Sequence, residues 1–130
     1  MTLLLDTHIL IWFAAVQAKL STRERTALFD ASQLLVSSIS IWEIRAKVRA
    51  ERRHGRTVLA LDPAMALSFC ETIGIKVETV SIADMISPKL EVDPEHGDMF
   101  DEMLLIHARR LGARLLTRDR RLLGHPLSVF

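Results

Sequence analysis

The sequence predicts an α/β protein built on a mostly parallel sheet with helices on both faces. Three observations carry this reading. Short apolar runs rich in Leu, Ile and Val recur along the chain and alternate with helical patterns. Helix-start signals follow these runs closely, and glycines close the helices. No internal repeat, low-complexity segment or linker interrupts the alternation, so 130 residues read as one domain, 1–130, long enough to bury a core.

The elements follow in order. Residues 2–5 form a buried strand that ends in Asp6-Thr7, where a helix over residues 9–16 begins. Ser21-Thr22-Arg23-Glu24 is a capping box opening a second helix to about Ala31. Residues 34–36 make a second strand. Ser40-Ile41-Trp42-Glu43 reads as another capping box, starting a long helix that stops near Gly55. Asp62-Pro63 opens a helix to about Thr72, with proline at the first helical position and Gly74 beyond the end. A strand over 76–80, a short helix over 81–86 and a loop over 87–97 come next. A strong helix covers 98–111 and stops at Gly112. A strand over 113–116 leads to Thr117-Arg118-Asp119 and a helical turn, and residues 127–130 form a last strand.

Composition narrows the function. Hydrophobic residues make up 49% and charged residues 25%, which is globular. Tyr is absent and aromatics are 5%, so stacking on aromatic platforms does not dominate any nucleic-acid contact. The single cysteine, Cys70, lies in an apolar stretch and reads as a core thiol, which suits a reducing cytoplasm. The first 18 residues are apolar but lack a basic start and are broken by Asp6 and His8, unlike a secretory signal. No stretch reaches the roughly 20 apolar residues of a membrane span.

Net charge is only +1, but it is unevenly spread. Arg45, Lys47, Arg49, Arg52, Arg53 and Arg56 face only Glu51 in one run, and Arg109, Arg110, Arg114, Arg118, Arg120 and Arg121 form a second basic group. Glu91, Asp93, Glu95, Asp98, Asp101 and Glu102 gather the acids. Each basic run alone reads equally well as a solvated helix face.

Five acids stand out by position. Asp6, Asp98 and Asp119 each precede a helical segment and read singly as N-caps. Glu43 fits the third position of its capping box and pairs with Lys47 one turn on. Asp101 lies in the first turn of its helix, where the dipole favours an acid. Jointly they say more, because every strand-to-helix turn of an open parallel sheet falls at one edge, and these acids fall near it. At about 100° per residue, Phe100, Met103, Leu104, Ala108 and Leu111 form a core-facing stripe; Asp101 borders it, Asp98 follows, and Glu102 points to solvent. Several carboxylates so close either take raised pKa values or hold a cation. Hard oxygen donors without a Cys or His cluster select Mg²⁺ or Mn²⁺. His8, His54, His96, His107 and His125 are scattered without zinc spacing, and His107 reads as a core or interface residue. A carboxylate-held ion completes its shell with phosphate oxygens, so a phosphodiester is the fitting substrate. Arg45, Arg49, Arg118 and Arg120 then read as contacts to an RNA backbone.

At this point the residues resemble a known family. Leu3-Leu4-Leu5-Asp6-Thr7-His8, Ser37-Ser38-Ile39-Ser40-Ile41-Trp42-Glu43-Ile44, His96-Gly97-Asp98-Met99-Phe100-Asp101, Leu104-Leu105-Ile106-His107-Ala108 and Leu116-Thr117-Arg118-Asp119 are similar, in order and spacing, to the PIN-domain nucleases and to the VapC-type toxins among them. The resemblance implies a Rossmann-like α/β/α fold, a Mg²⁺- or Mn²⁺-dependent endoribonuclease acting in the cytoplasm, a cognate antitoxin protein that blocks the site, and a homodimer. Position by position, Asp6, Glu43, Asp101 and Asp119 match the family acids, Asp98 matches an extra acid, and Thr7 and Thr117 match hydroxyls that orient them. Met99 stands where proline is usual, Glu102 where a base is usual, and His107 where glutamine is common. The resulting expectation is that Asp6, Asp98 and Asp101 bind the main ion while Glu43 and Asp119 complete the cluster. Two rivals remain: a PIN-like domain that binds RNA or a protein without cutting, and a receiver-type phosphoacceptor, which would need a well-placed Lys where this chain has only arginines.

Overall fold

The computed structural model describes residues 1–55, 61–88, 90 and 98–130. Arg56, Glu91, Asp93, Glu95 and the His96-Gly97 pair lie outside the described residues, as does most of the acidic loop.

Five strands form one sheet: β1 (Thr2–Leu5), β2 (Gln33–Ser37), β3 (Lys76–Glu78), β4 (Arg114–Leu116) and β5 (Ser128–Val129), in the order β3-β2-β1-β4-β5. Every described pairing is parallel. The helices are α1 (Thr7–Ala15), α2 (Thr22–Asp30), α3 (Ser38–Arg53), α4 (Pro63–Ile73), α5 (Ile82–Met85) and α6 (Met99–Leu111). Two 3₁₀ turns cover Gln17–Lys19 and Arg120–Leu122.

The sheet divides the core in two, as the strand period of two demands. Leu3, Leu5, Val36 and Leu116 pack with residues of α1, α3 and α4 on one face. Leu4, Leu35 and Leu115 pack with Leu104, Leu105 and Ala108 of α6 on the other. Strands buried on both faces read as unbroken apolar runs.

Several boundaries differ from the sequence reading, each for a visible reason. α3 begins at Ser38 with Ser37 as its cap, accepting from the amide of Ile39, so Ser40 is an interior helical residue and no capping box forms at 40–43. The Ser40 hydroxyl turns inward to Thr7 instead. β3 stops at Glu78 because the chain beyond it is taken elsewhere: Val80 N donates to Ser38 Oγ, and Thr79 O accepts from Arg110. On α6 the buried surface differs from the expected stripe. Leu104 and Ala108 are buried with Leu105, Ile106 and His107, while Phe100, Met103 and Leu111 are only partly buried, since α3 and α5 pack on the flanks of the helix. The box at Ser21, the Asp62-Pro63 start and the glycine stops at 74 and 112 fall where the sequence puts them, and Ser81 with Asp84 forms a box that the sequence reading did not single out.

Topology places the site. β1 lies centrally, β2 and β3 extend to one side of it, and β4 and β5 to the other. The crevice between the carboxyl ends of β1 and β4 is therefore the topological switch point, where open α/β sheets bind ligands.

Candidate active site

Asp6 terminates β1 and caps α1. Its Oδ1 accepts from Thr7 N at 2.6 Å, its Oδ2 accepts from Thr117 Oγ1 at 2.6 Å, and its own amide donates to Leu116 O across the switch point. Thr117 thereby fixes the Asp6 rotamer from the neighbouring strand, and its Oγ1 also accepts from the Asp119 amide at 3.0 Å. Thr7 does the matching work on the other side. Its Oγ1 donates to Glu43 Oε1 at 2.7 Å and lies 3.0 Å from Ser40 Oγ. Both threonines are buried, so these hydroxyls hold their acids with little rotamer freedom.

The other acids come from α6 and the turn after β4. α6 runs back along the sheet toward β4, so its N-terminus stands at the edge where the strands end. Asp98 caps it through Oδ1, accepting from the amides of Phe100 and Asp101. Asp101, 8% exposed, projects from the first turn. Asp119 caps the Arg120–Leu122 turn, accepting from the Arg121 amide. Capping and convergence thus coexist. The cap geometry is what aims Asp6, Asp98 and Asp119 at the common edge.

Electrostatics register the convergence. Burial, then the negative charges of Asp6, Asp98 and Asp119, push the Asp101 carboxyl up to about 7, against the pull of Arg121. Burial also raises Asp6, opposed by its bonds from Thr117 and Thr7 and by the charge of His8. Glu43 stands one step aside: it is joined to the group through Thr7 and pairs with Lys47 at 3.8 Å.

A cleft of about 350 Å³ opens beside these acids, lined by Asp6, His8, Trp12, Arg118, Asp119 and Arg121. The donor set suits a hard divalent cation: carboxylates that repel one another, Asp6 and Asp101 among them buried, with no thiolate or imidazole cluster among the described residues. Among the described residues, no three His, Cys, Asp or Glu side chains already stand in a finished ion-binding arrangement. Asp119 instead holds a guanidinium. Arg121 donates from Nε to Asp119 Oδ1 at 3.1 Å and from Nη2 to Oδ2 at 2.8 Å, and the same Nη2 lies 3.9 Å from Asp101 Oδ2.

The arginines differ from the sequence reading. Arg118 is drawn away from the acids: its guanidinium is ion-paired with the buried Glu24, donates to Lys19 O and lies over the Trp12 ring at 4.2 Å. Arg45 and Arg49 line a different cleft with Arg52, Arg53 and Asp62, facing α4, because they lie on the far side of α3 from Glu43. Arg120 is exposed, next to Asp119. Arg121, the cation that borders the acids, was not singled out from the sequence. Its position two residues after a capping Asp was the available signal. Ser40 was likewise read as a cap, although its place three residues before Glu43 puts it on the same helical face.

Comparisons with known proteins define the family and the fold. A family model described as the PIN domain matches residues 3–125. The chain belongs to the PIN-domain family. Within it, the chain is 32% identical over 135 residues to Ribonuclease VapC22 of Mycobacterium tuberculosis, covering 99% of this chain and 98% of that one. Among solved structures, the fold is similar to one described as VapBC2 from Rickettsia felis bound to a DNA fragment from their promoter, with TM-score 0.59, 15% identity and coverage of 99% and 96% of the two chains. It is also similar to a toxin–antitoxin complex from Klebsiella pneumoniae, with TM-score 0.53, 22% identity and coverage of 98% and 95%. Among the described residues, no helix is long and apolar enough to cross a membrane.

Proposed function

We propose that this chain is a VapC-type endoribonuclease, the toxin of a toxin–antitoxin pair, which hydrolyses RNA phosphodiesters with a divalent cation held by Asp6, Asp98, Asp101 and Asp119. The observation that carries the reading is the meeting of these four acids at the switch point, with Asp101 pushed up to about 7 by burial and by its three acidic neighbours. A carboxylate in that position gains most from a positive charge beside it. Mg²⁺ or Mn²⁺ would supply Lewis acidity toward a phosphate oxygen and toward the attacking water. The residues of the chain do the rest. Thr117 and the Thr7 amide fix Asp6, the caps fix Asp98 and Asp119, and Thr7 holds Glu43 at the side of the cluster, where its carboxylate accepts hydrogen bonds from water or substrate. Arg120 and Arg121 offset the negative edge and favour approach of a polyanion. Arg45 and Arg49, turned toward α4, meet only RNA that extends past the cleft.

The name of the full-length relative and the two toxin–antitoxin structures support an antitoxin protein as the regulator. A second copy of the chain and a cytoplasmic setting complete the reading, the latter consistent with the lone buried thiol of Cys70.

The test is direct. Purified protein is incubated with structured RNAs, with and without Mg²⁺ or Mn²⁺, and the product ends are mapped. Cation-dependent cuts that disappear in Asp6→Asn and Asp101→Asn are the expected outcome. Full activity in both variants, or RNA binding that ignores chelator and yields no cuts, overturns the reading; the latter would identify a non-cleaving binding domain.

A further inference from the structure

We propose that Arg121 is an internal counter-cation of the resting site: it competes with the divalent ion for Asp119 and Asp101 and, once displaced, turns its guanidinium to the phosphate of the bound RNA. The inference rests on the metal-dependent ribonuclease reading and assigns a role inside it.

Three features of the structure carry it. First, Arg121 engages both oxygens of Asp119, through Nε at 3.1 Å and Nη2 at 2.8 Å, while its backbone amide also donates to Oδ1 at 2.9 Å. Those are the lone pairs a cation needs, so fork and ion cannot both hold Asp119 in this way. Second, Nη2 lies 3.9 Å from Asp101 Oδ2, so one guanidinium answers two of the four acids whose mutual repulsion calls for positive charge. Third, among the described residues little else holds the fork. The Arg121 side chain is 56% exposed and stands on a short 3₁₀ turn at the wall of the cleft. An exposed pair of this kind exchanges readily, being worth little against water and salt.

Arg118 shows what a fixed arginine looks like here. It is tied to buried Glu24, to Lys19 O and to the Trp12 ring, all away from the acids. Among the described residues, Arg121 is held by the acids it serves and by no such anchor. Displaced from Asp119, its fork remains at the cleft wall, where a phosphate offers the same bidentate geometry as a carboxylate.

Calorimetric titration of the intact protein with Mn²⁺ tests the competition, and steady-state cleavage of a short RNA tests the second position. Arg121→Gln is expected to bind Mn²⁺ about five-fold more tightly than the unaltered chain, the size of an exposed ion pair. The same variant is expected to show a raised KM for RNA with a smaller change in kcat, and Arg121→Lys to fall between, keeping charge but losing the fork. A residue that merely braced the turn would weaken metal and RNA binding together, so opposite movements are the signature. Equal or weaker Mn²⁺ binding by Arg121→Gln, with cleavage still Mn²⁺-dependent, overturns the proposal and leaves the ribonuclease reading standing. Tighter Mn²⁺ binding with an unchanged KM supports the competition and overturns the turn toward phosphate. Absence of Mn²⁺ binding in both proteins overturns the metal-dependent reading itself, and this inference with it.

Discussion

α6 carries two polar clusters that invite comparison, one at each end. Near its C-terminus, Arg110 donates to the buried Asp84 and to Thr79 O, and its Nη2 lies 3.0 Å from His107 Nε2. Because Arg donates only, His107 accepts at Nε2, is neutral, and offers its Nδ1 hydrogen to Ser37 Oγ at 2.8 Å. Burial pushes Asp84 up, but hydrogen bonds from Arg110 and Ser81, with the charge of Arg110, outweigh it and bring the carboxyl down to about 2. At the other end, burial and three neighbouring acids take Asp101 up to about 7. Both aspartates are buried on the same layer of the fold. One is surrounded by donors and serves the architecture; the other has three acids beside it and Arg121 at 3.9 Å, and on the proposed reading it takes a cation. Burial of an acid says little by itself. What faces it decides whether the acid holds the protein together or works for it.

Substitutions separate the two ends. The largest effect is expected at the acidic end: Asp101→Asn or Asp6→Asn lowers RNA cleavage on the order of 10²–10³-fold or more, comparable to loss of a key electrostatic group, with the fold intact by circular dichroism. Stability should move the opposite way. Metal-free Asp101→Asn melts higher than the unaltered protein at pH 8, because it removes a buried charge whose cost is at most about 4 kcal/mol for a shift of this size. A lower melting point in that variant would break the comparison.

Asp84→Asn is expected to do the reverse, costing about 2 kcal/mol of stability by stranding Arg110, less than for a fully buried pair because that arginine is partly exposed. Its cleavage loss should be no more than the unfolded fraction explains, measured by denaturant titration beside activity.

The two aspartates also give opposite pH signatures. The raised pKa of Asp101 makes a contribution that is complete below about 4 and is lost as pH rises through about 7. The lowered pKa of Asp84 makes one that is present above about 4 and is lost as pH falls through about 2. Melting curves of the metal-free protein should therefore lose a stability increment between about pH 4 and 7 that Asp101→Asn abolishes, and Asp84→Asn should flatten the acid limb. The smallest effect belongs to the far side of α3. Arg49→Ala should reduce the salt slope of RNA binding by about one at most and leave cleavage of a short oligonucleotide unchanged.

Much of this was legible in the sequence, and the reasons are physical. Strands buried on both faces announce themselves as runs such as Leu3-Leu4-Leu5, and caps such as Ser21 with Glu24 obey local rules. The five acids, Asp6, Glu43, Asp98, Asp101 and Asp119, were picked out as candidates because a parallel sheet sends its turns to one edge. What stayed hidden depends on side-chain direction. Arg118 and Arg121 stand three residues apart, yet one reaches away to distant Glu24 and the other to Asp119 two residues before it. Nothing local separates them. Ser40 was read as the cap of α3 where Ser37 is; the start of the helix falls to where β2 ends, which its partners β1 and β3 decide. The breadth of the α6 core face likewise reflects α3 and α5, which helical spacing cannot see.

The hydrogen bond from Thr117 to Asp6 spans 111 positions of chain. A polypeptide emerging from the ribosome holds Asp6 almost from the start, yet it lacks the hydroxyl that orients this acid until β4 and the turn beyond it have been made and have docked. The proposed site is consequently completed only late in synthesis, and a fragment that ends before Thr117 lacks the hydroxyl that orients Asp6.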